Sequence, residues 1–317
     1  MMKTEDTSKK TMKEEKVKKS HPKLKEFAFS AKRYLKNPLT IIGLLILAFF
    51  GFIALFAPIL APPPYPHDPY KMPHTGWLIN PSPPSAEHPL GTLEQQYDIL
   101  YGVIWGTRLA FFMGVLVVLT NLFTGIILGS IAGYFGGIVD EIIMRITDVF
   151  FALPWLVMAM ALVVVIGRGL TSIMIVLIIL GWPSYARLLR GEILVLRDKD
   201  YVRAAMASGA SHLRIIFKHI LPNSIFSTLI FASMNVGNVI ITAAALSFLG
   251  LGSETGYADW GQMVATCRNW IVGPANNRLE YWYVVFTPGF VIALFVLSWN
   301  LLGDAARDVF DPKMRRR

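Results

Sequence analysis

Six long apolar runs dominate this chain and decide what it can fold into. A helix that crosses about 30 Å of hydrocarbon needs roughly 20 mostly apolar residues, and each run approaches or exceeds that length. A soluble core seldom needs so many helices of this kind, so the runs predict an all-α polytopic membrane protein with six transmembrane helices. The predicted spans are residues 39–60, 105–132, 142–166, 171–189, 223–249 and 283–302.

The composition agrees with a membrane domain. Of the 317 residues, 54% are hydrophobic and 16% are charged, whereas soluble proteins average about 25% charged residues. The net charge of +9 would suggest nucleic-acid binding in a soluble protein. Here the basic residues flank apolar runs, so they indicate orientation in a membrane, and no nucleic-acid partner is expected. The single cysteine, Cys267, excludes an intrachain disulfide.

The basic residues also predict the topology. Of the 30 Lys and Arg residues, twelve lie within residues 1–38, seven within 186–218 and five after Gly303. Short loops rich in Lys and Arg remain in the cytoplasm. Six spans that start inside satisfy this rule, which places both termini in the cytoplasm and the segments 61–101 and 251–282 outside.

The chain is thereby divided into a tail, a membrane domain of residues 39–303 and a second cytoplasmic tail of residues 304–317. The first tail, residues 1–38, is rich in Lys and Glu and is expected to be partly disordered. It either contacts anionic lipid or is simply solvated. Because this leader and the apolar run after it are too long for a signal peptide, the first span is expected to stay in place as an anchor.

No catalytic constellation is evident. The sequence lacks the HExxH, GxSxG and GxxxxGK[ST] patterns, so the chain is expected to catalyse nothing and to bind no cofactor, and any ATP must be bound by another chain. The spans carry almost no carboxylates, which argues against ion-coupled transport. His67, His74 and His88 lack tight ligand spacing, so no metal site is predicted.

Small residues and prolines shape the spans. Gly125, Gly129 and Gly133 recur at four-residue spacing in the second span. Such a stripe lets helix backbones approach closely, and helix packing is the favoured interpretation. Pro154 and Pro183 should bend the third and fourth spans, because each removes a helix hydrogen-bond donor.

Polar side chains in the fifth span are candidates for a translocation path. Asn235 and Asn238 are three residues apart and therefore share a helix face. Amides in hydrocarbon face either a water-filled path or a partner helix, and both interpretations stay open. The candidate residues are Asn235, Asn238, Thr242 and Ser247.

The segment 190–222 is too polar to span and predicts two short helices. Asp198 or Asp200 can cap the first helix, and Gly209 ends it. Ser211 can cap the second, and Pro222 then restarts a helix into the membrane. In the second helix, one face is predicted to be apolar and the other basic; the apolar residues are Leu213, Ile216, Phe217 and Ile220, and the basic ones are Arg214 and Lys218. Such a pair of short helices is either a docking element for a soluble partner or an interfacial element that lies on lipid.

This segment resembles the EAA loop of ABC importer permeases. That pattern is Glu-Ala-Ala, a Gly four residues later and Leu-Pro at the thirteenth position after the Gly. Ala204, Ala205, Gly209 and Leu221-Pro222 match it, whereas Arg203 replaces the Glu, and His219 stands where the pattern has Ile. The resemblance implies that the loop seats in a cleft of a cytoplasmic ATPase subunit. The expected coupling residues are Arg203, Ala204, Ala205, Gly209, Leu213, Phe217, Leu221 and Pro222.

Further motifs resemble the oligopeptide/dipeptide branch of these permeases. They are Asn37-Pro38, Phe56-Ala-Pro58, residues 88–92, residues 247–252, Trp260-Gly261, residues 300–304, Arg307-Asp308 and Asp311-Pro312. The resemblance implies a bacterial or archaeal inner-membrane importer of peptides. It also implies a second related permease, two ATPase subunits that bind ATP, and an external solute-binding protein. Metal chelates or oligosaccharides as cargo, an ATPase-independent channel, and a structural or assembly membrane protein remain alternatives.

Two stretches depart from that branch. After Gly91-Thr92 the family has Asp, two residues, Gly-Arg-Asp and then Ser-Arg, and this chain keeps only Asp98. Substrate handover or gating is expected to differ there; the departing residues include Leu93, Gln96, Tyr97, Tyr101 and Gly102. The external segment 267–282 is longer than usual, and its aromatics are either headgroup anchors or contacts for a binding protein; they are Trp270, Tyr281 and Trp282.

Overall fold

The computed structural model describes residues 34, 35, 37–76, 78–275 and 277–310, without the side chains of 308–310. Most of the predicted N-terminal tail and the motif Asp311-Pro312 lie outside the described residues. Within these ranges the chain is helical and has no strand, only isolated bridges, which confirms the predicted all-α class.

The helices are numbered in chain order. They are α1 (Pro38–Leu60), α2 (Ile99–Phe135), α3 (Gly137–Ala152), α4 (Trp155–Ile166), α5 (Leu170–Arg197), α6 (Asp200–Ala207), α7 (His212–Arg214), α8 (Leu221–Phe248), α9 (Trp260–Thr266) and α10 (Trp282–Phe310). A π-helical turn, Ile215–Ile220, joins α7 to α8, and 3₁₀ turns occur at Glu94–Gln96 and Cys267–Trp270.

Five of the described helical stretches are long and apolar enough to cross a membrane. They are α1, α2, α5, the continuous run of α7 and α8, and α10. Each matches a predicted span. The bounds differ where a helix is longer than the predicted span. Helix α2, for example, begins at Ile99 rather than at residue 105, and the Asp98 carboxylate caps it by accepting a hydrogen bond from the Tyr101 backbone N–H at 2.7 Å. The five spans are therefore confirmed.

The third predicted span is not one helix. It is broken into α3 and α4, which meet at an angle of 93°. Leu153 is extended between them, with φ −102° and ψ 146°. Proline disfavours helical geometry at the residue before it and cannot donate a backbone hydrogen bond. Pro154 therefore ends a helix where only a bend was expected. The helices α3 and α4 form a sixth candidate span only if the two are counted together as one.

Two helices continue past predicted boundaries. Helix α5 continues to Arg197, so residues 190–197 are helical. Helix α10 continues to Phe310, past residue 304, where the C-terminal tail was predicted to begin. Both extensions mix charged and apolar residues, so neither has the long apolar run by which the spans were predicted. Pro183 lies inside α5 without ending it.

The glycine stripe of α2 packs directly on α5. A Cβ atom at Gly129 would lie 2.7 Å from the Ala186 carbonyl oxygen, and one at Gly133 would lie 2.9 Å from the Ile193 Cβ. Real Cβ atoms do not approach other atoms so closely, so these positions admit only glycine at this helix spacing. The helix-packing interpretation of the stripe is confirmed.

The two external segments fold onto each other above the helices. The Met72 N–H donates to the Gly256 carbonyl at 2.8 Å, and the Ala258 N–H donates to the Tyr70 carbonyl at 2.7 Å. Met72, Trp260 and Met263 are buried beneath this junction. The layer formed by these two segments, which were predicted to be external, is thus a packed part of the fold that covers the N-terminal end of α2.

Candidate functional site

The first short helix of the cytoplasmic segment ends in a Schellman motif. Gly209 has φ +75°, its N–H donates to the Met206 carbonyl, and the Ala210 N–H donates to the Ala205 carbonyl. This is the geometry for which glycine is preferred at a helix C-terminus. Gly209 therefore ends α6, as expected.

The predicted caps of these helices are only partly right. Lys199 occupies the N-cap of α6, Asp198 is the C-cap of α5, and neither carboxylate caps α6. The cause is the extension of α5, which uses the chain up to Asp198. Ser211 does occupy the N-cap of α7, but its side chain makes no capping hydrogen bond.

The second short helix divides its apolar residues differently from the prediction. Ile216 and Ile220 are buried, whereas Leu213 and Phe217 are 68% and 64% exposed. The predicted common apolar face is therefore wrong. Ile216, Phe217 and Ile220 lie in the π-helical turn Ile215–Ile220, at whose end the Leu221 N–H donates to the Ile216 carbonyl. This wider turn accommodates Pro222, whose ring would clash with a carbonyl four residues earlier in a regular helix.

The remaining coupling candidates lie on the outside of α6 and at the start of α8. Arg203 and Ala204 are exposed, Ala205 is half-buried, Leu221 is half-buried and Pro222 is exposed. Arg203 makes a loose ion pair with Asp198 at 3.8 Å, while the fully buried Val202 anchors α6 to the protein. We define the coupling segment as residues 200–222; it presents apolar side chains outward from a buried base.

Polar contacts join the coupling segment to the spanning helices. The Tyr134 hydroxyl near the C-terminal end of α2 hydrogen-bonds the His212 ring of α7 at 2.8 Å. The Arg197 guanidinium at the end of α5 donates to the Gly133 and Tyr134 carbonyls of α2, both at 3.4 Å. The same end of α2 is therefore in direct contact with both α7 and α5.

Two ion pairs fasten α3 to α5. The Arg190 guanidinium donates to both oxygens of Asp140. The Arg187 guanidinium donates to Asp148 and lies 4.4 Å from the Phe151 ring centroid. These two ion pairs tie the first helix of the broken span to its neighbour.

A cavity of about 170 Å³ lies among α2, α3, α4, α5 and α8. Asn235, Asn238 and Thr242 all line it, which confirms that the two amides share a face. The Asn235 amide nitrogen donates to the Tyr185 hydroxyl at 2.8 Å, and the Thr242 hydroxyl donates to the Asn238 carbonyl at 2.7 Å. Aromatic rings also contribute to the wall; they are Phe150, Phe151, Trp155 and Phe231.

Ser247 does not belong to this cavity. It is fully buried one and a half turns further along α8, where Gly252 and Gly261 pack against it. The spacing from Thr242 places it on another side of the helix. Ser247 is therefore separated from the other three candidates, which all line the cavity.

Asn121 is a lining residue that the sequence analysis missed. It is 1% exposed, and its amide nitrogen donates to the Leu177 carbonyl at 3.2 Å. A single amide in a long apolar run gave little signal. One pattern could have revealed it, since Asn121 precedes Gly125 by four residues and so continues the glycine stripe that faces α5.

The departing residues at the external mouth hold the outer layer together. Gln96 is buried with φ +60°; its amide nitrogen donates to the Asn80 carbonyl, and its amide oxygen accepts from the Ser82 hydroxyl at 2.9 Å. Leu93 is also buried. Tyr97 packs its ring against Gly256, which has φ +85°. These residues therefore fix the fold of segment 61–101.

The start of α2 is fixed in the same way. The Tyr101 hydroxyl donates to the Pro69 carbonyl at 2.7 Å. Gly102 leaves room for the side chains of Met72 and Met263, because a Cβ atom at this position would collide with both. Asp98, which the chain shares with the family pattern, pairs with His88 at 2.6 Å. The start of α2 is consequently packed against the segment 61–101.

The aromatic residues of segment 267–282 have different environments. The Trp270 indole donates to Glu94 at 2.9 Å and packs edge-on against Tyr281. Trp282 is 57% exposed. Beside them, the Cys267 thiol donates to the Met263 and Val284 carbonyls, and burial, with a smaller contribution from Glu94, raises its pKa to about 12. Trp282 is thus the aromatic available to lipid or to a partner.

Comparison with known proteins gives consistent matches. The family described as binding-protein-dependent transport system inner membrane component matches residues 125–316. The N-terminal TM domain of oligopeptide transport permease C matches residues 30–84. Together these two matches leave only residues 85–124 between them.

Several characterised relatives are similar over most of their length. The dipeptide transport system permease protein DppC of Alkalihalophilus pseudofirmus is 39% identical over 90% of this chain and 89% of its own. The oligopeptide transport system permease protein OppC of Bacillus subtilis is 37% identical over 90% of this chain and 88% of its own. The glutathione transport system permease protein GsiD of Pectobacterium atrosepticum is 41% identical over 73% and 75%.

A solved structure has the same fold. A chain of the MetNI methionine ABC transporter, in an inward-facing conformation, superposes with a TM-score of 0.53. It covers 67% of this chain and 97% of its own, at 17% sequence identity. The superposed part of this chain therefore has the fold of that transporter chain.

Proposed function

Because the chain belongs to the family of binding-protein-dependent transport system inner membrane components, we propose that it is one of two permease subunits of an ATP-driven peptide importer. It is a multi-pass inner-membrane protein that works with an ATPase and a binding protein. Relatives named for dipeptide, oligopeptide and glutathione transport support peptides as the cargo. We assign two cytoplasmic ATPase subunits and a second, related permease to the complete assembly.

The observation that carries this proposal is the exposure of apolar side chains on the coupling segment. Leu213 and Phe217 point away from a base formed by Ile215, Ile216 and Ile220. Leu213 and Phe217 are one helical turn apart, so they form adjoining apolar surface, and contiguous apolar surface is typical of interaction sites. An ATPase cleft that covers them would draw α7 with it, and the Tyr134–His212 contact would carry that motion to α2.

The topology follows from the distribution of charge. The coupling segment carries Arg203, Arg214 and Lys218, and the segment before α1 is strongly basic. Positive residues remain on the cytoplasmic side. With α3 and α4 counted as one broken span, both termini lie in the cytoplasm, and the packed layer that contains His88 and Asp98 faces outward toward the binding protein.

Solute passes through the membrane by alternating access along the polar face of α8. Asn235, Asn238 and Thr242 line the cavity and contribute to the path. The chain itself catalyses nothing, and ATP is bound by the partner subunits. The ATPase cycle opens the path to each side in turn.

Purification of the intact assembly tests this proposal. The tagged protein, extracted in mild detergent from its native membrane, should carry with it a second permease and ATPase chains, identified by mass spectrometry. The double variant Leu213→Asp, Phe217→Asp should lose the ATPase chains and keep the second permease. Both positions are exposed, so the fold should survive.

Leu279→Asp provides a matched control, because Leu279 is also highly exposed but lies in the external segment. It should retain every partner. Recovery of the wild-type chain alone, or unchanged ATPase recovery with the double variant, would argue against the proposed docking role.

A further inference from the structure

A polar cavity of about 320 Å³ lies at the C-terminal end of α8. Its wall is formed by that end of α8, by α9 and the 3₁₀ turn after it, and by the 3₁₀ turn Glu94–Gln96. It shares no lining residue with the cavity among the spanning helices. Apart from residues 248–250, its lining residues belong to the segments 61–101 and 251–282. The cavity is therefore a feature of the layer that these two segments form.

The cavity contains two opposite charges that do not neutralise each other. Glu94 and Arg268 both line it. Among the residues that the structure describes, neither side chain has an oppositely charged group within the 4.0 Å of an ion pair. Arg268 is exposed and Glu94 is half-buried. A charged ligand can therefore reach either group without breaking an existing ion pair.

Each charge is nevertheless held in place by an uncharged neighbour. The Trp270 indole donates to one Glu94 carboxylate oxygen at 2.9 Å. The Arg268 guanidinium donates to the Phe248 carbonyl at 2.8 Å and lies 4.9 Å from the Phe248 ring centroid. These contacts orient both side chains, but in the described part of the chain they leave the second Glu94 oxygen and most of the guanidinium N–H groups unpaired. Oriented polar groups of this kind are what fixes a ligand in a binding pocket.

The two charges limit the class of ligand. A simple anion is repelled by Glu94, a simple cation is repelled by Arg268, and a neutral solute pairs with neither. A zwitterion with two separated charges satisfies both. Side chains that can hydrogen-bond an amide also line the cavity; they are Gln95, Thr255, Gln262, Thr266 and Asn269. A short peptide with free termini combines an ammonium group, a carboxylate and peptide amides, and so matches the whole wall.

Building on the function proposed above, we propose that this cavity is a receiving site for short peptides, in which Glu94 binds the terminal ammonium group and Arg268 binds the terminal carboxylate. Selection of peptides by their free termini then belongs to the permease itself, in addition to any selection by the binding protein. Glu94 and Arg268 determine this specificity at a place separate from the cavity among the spans. The competing occupant is a second permease whose charged groups pair with these two residues.

Peptides with blocked termini test the site. Binding of trialanine, N-acetyl-trialanine and trialanine amide to the purified assembly is measured by saturation-transfer difference NMR in the absence of the binding protein. In the wild type, blocking either end should weaken binding about fivefold or more, because one charge-assisted hydrogen bond is lost. Glu94→Gln should lose only the penalty for N-acetylation, and Arg268→Gln should lose only the penalty for amidation.

Glu87→Gln and Arg278→Gln are the matched controls, because each removes the same charge at an exposed position that does not line the cavity. Both should keep the two wild-type penalties. Penalties that persist unchanged in Glu94→Gln and Arg268→Gln, or no binding of trialanine to the wild type, would overturn the receiving site. Loss of the second permease from either cavity variant would also overturn it, and would assign the two charges to the interface between the permeases.

Uptake of trialanine separates the receiving site from the proposed function. It is measured with ATP in proteoliposomes that contain the complete assembly and its binding protein, where Glu94→Gln and Arg268→Gln should import more slowly than the two controls. Import by both cavity variants at the control rate would overturn the site while leaving the importer intact. Failure of the wild type to take up trialanine would overturn the proposed function itself.

Discussion

Gln96 illustrates how single residues define the external face of this protein. Its backbone has φ +60°, and its side chain bridges the Asn80 carbonyl and the Ser82 hydroxyl across a loop of fifteen residues. The sequence identified Gln96 as a departure from the family pattern, but it could not reveal this role. The partners are distant in the chain, and the positive φ depends on the loop closing around them.

Replacing Gln96 by Leu should destabilise the external layer by roughly 1–3 kcal/mol, because the Asn80 carbonyl and the Ser82 hydroxyl lose a buried partner. The thermal unfolding midpoint of the purified assembly, measured at one fixed scan rate, should fall. Gln95→Leu is the control, since Gln95 has nearly the same φ and an exposed side chain. Equal midpoints for the two variants would contradict this role of Gln96.

The spanning helices show which features of the fold can be predicted from apolar runs in the sequence and which cannot. Five spans could be predicted, because hydrocarbon thickness sets a length that the sequence must match. The 93° break at Pro154 could not, because proline ends a helix but packing against neighbours sets the new direction. The extension of α5 to Arg197 was also hidden, since its last two turns mix charged and apolar residues and contain no long apolar run.

The contact between α2 and α5 can be tested at Gly129. A methyl group there would press on the Ala186 backbone, so Gly129→Ala should destabilise the protein by roughly 1–3 kcal/mol despite the better helix propensity of alanine. Gly191→Ala on α5 meets nothing within 4 Å and should be neutral or stabilising. A thermal midpoint for Gly129→Ala as high as that of Gly191→Ala would show that this contact is loose.

The whole molecule combines the packed layer of segments 61–101 and 251–282, a cavity among the spanning helices, and the basic segment 200–222. The sequence could predict the first and last of these regions from charge and motif. It predicted three of the cavity residues on α8, but not Asn121, because the cavity is formed by side chains of five helices. Leu213 and Phe217 were expected to share an apolar face with Ile216 and Ile220, whereas they are exposed and those two isoleucines, which lie in the π-helical turn, are buried.

Gly209 links the local geometry of that segment to the activity of the whole assembly. Its φ of +75° favours glycine, and a Cβ atom there would meet nothing within 4 Å. Gly209→Val should therefore distort the end of α6 through its backbone alone, whereas Gly209→Asn should be tolerated, because asparagine adopts this conformation far more readily than valine.

The most direct test is the amount of peptide imported for each ATP hydrolysed by the purified assembly in proteoliposomes with its binding protein. The wild type and Gly209→Asn should import peptide only when ATP is supplied. Gly209→Val should remain inserted and hydrolyse ATP, but it should import at least tenfold less peptide for each ATP. Import by Gly209→Val at the wild-type ratio, or peptide entry without ATP in the wild type, would contradict a permease driven through this segment.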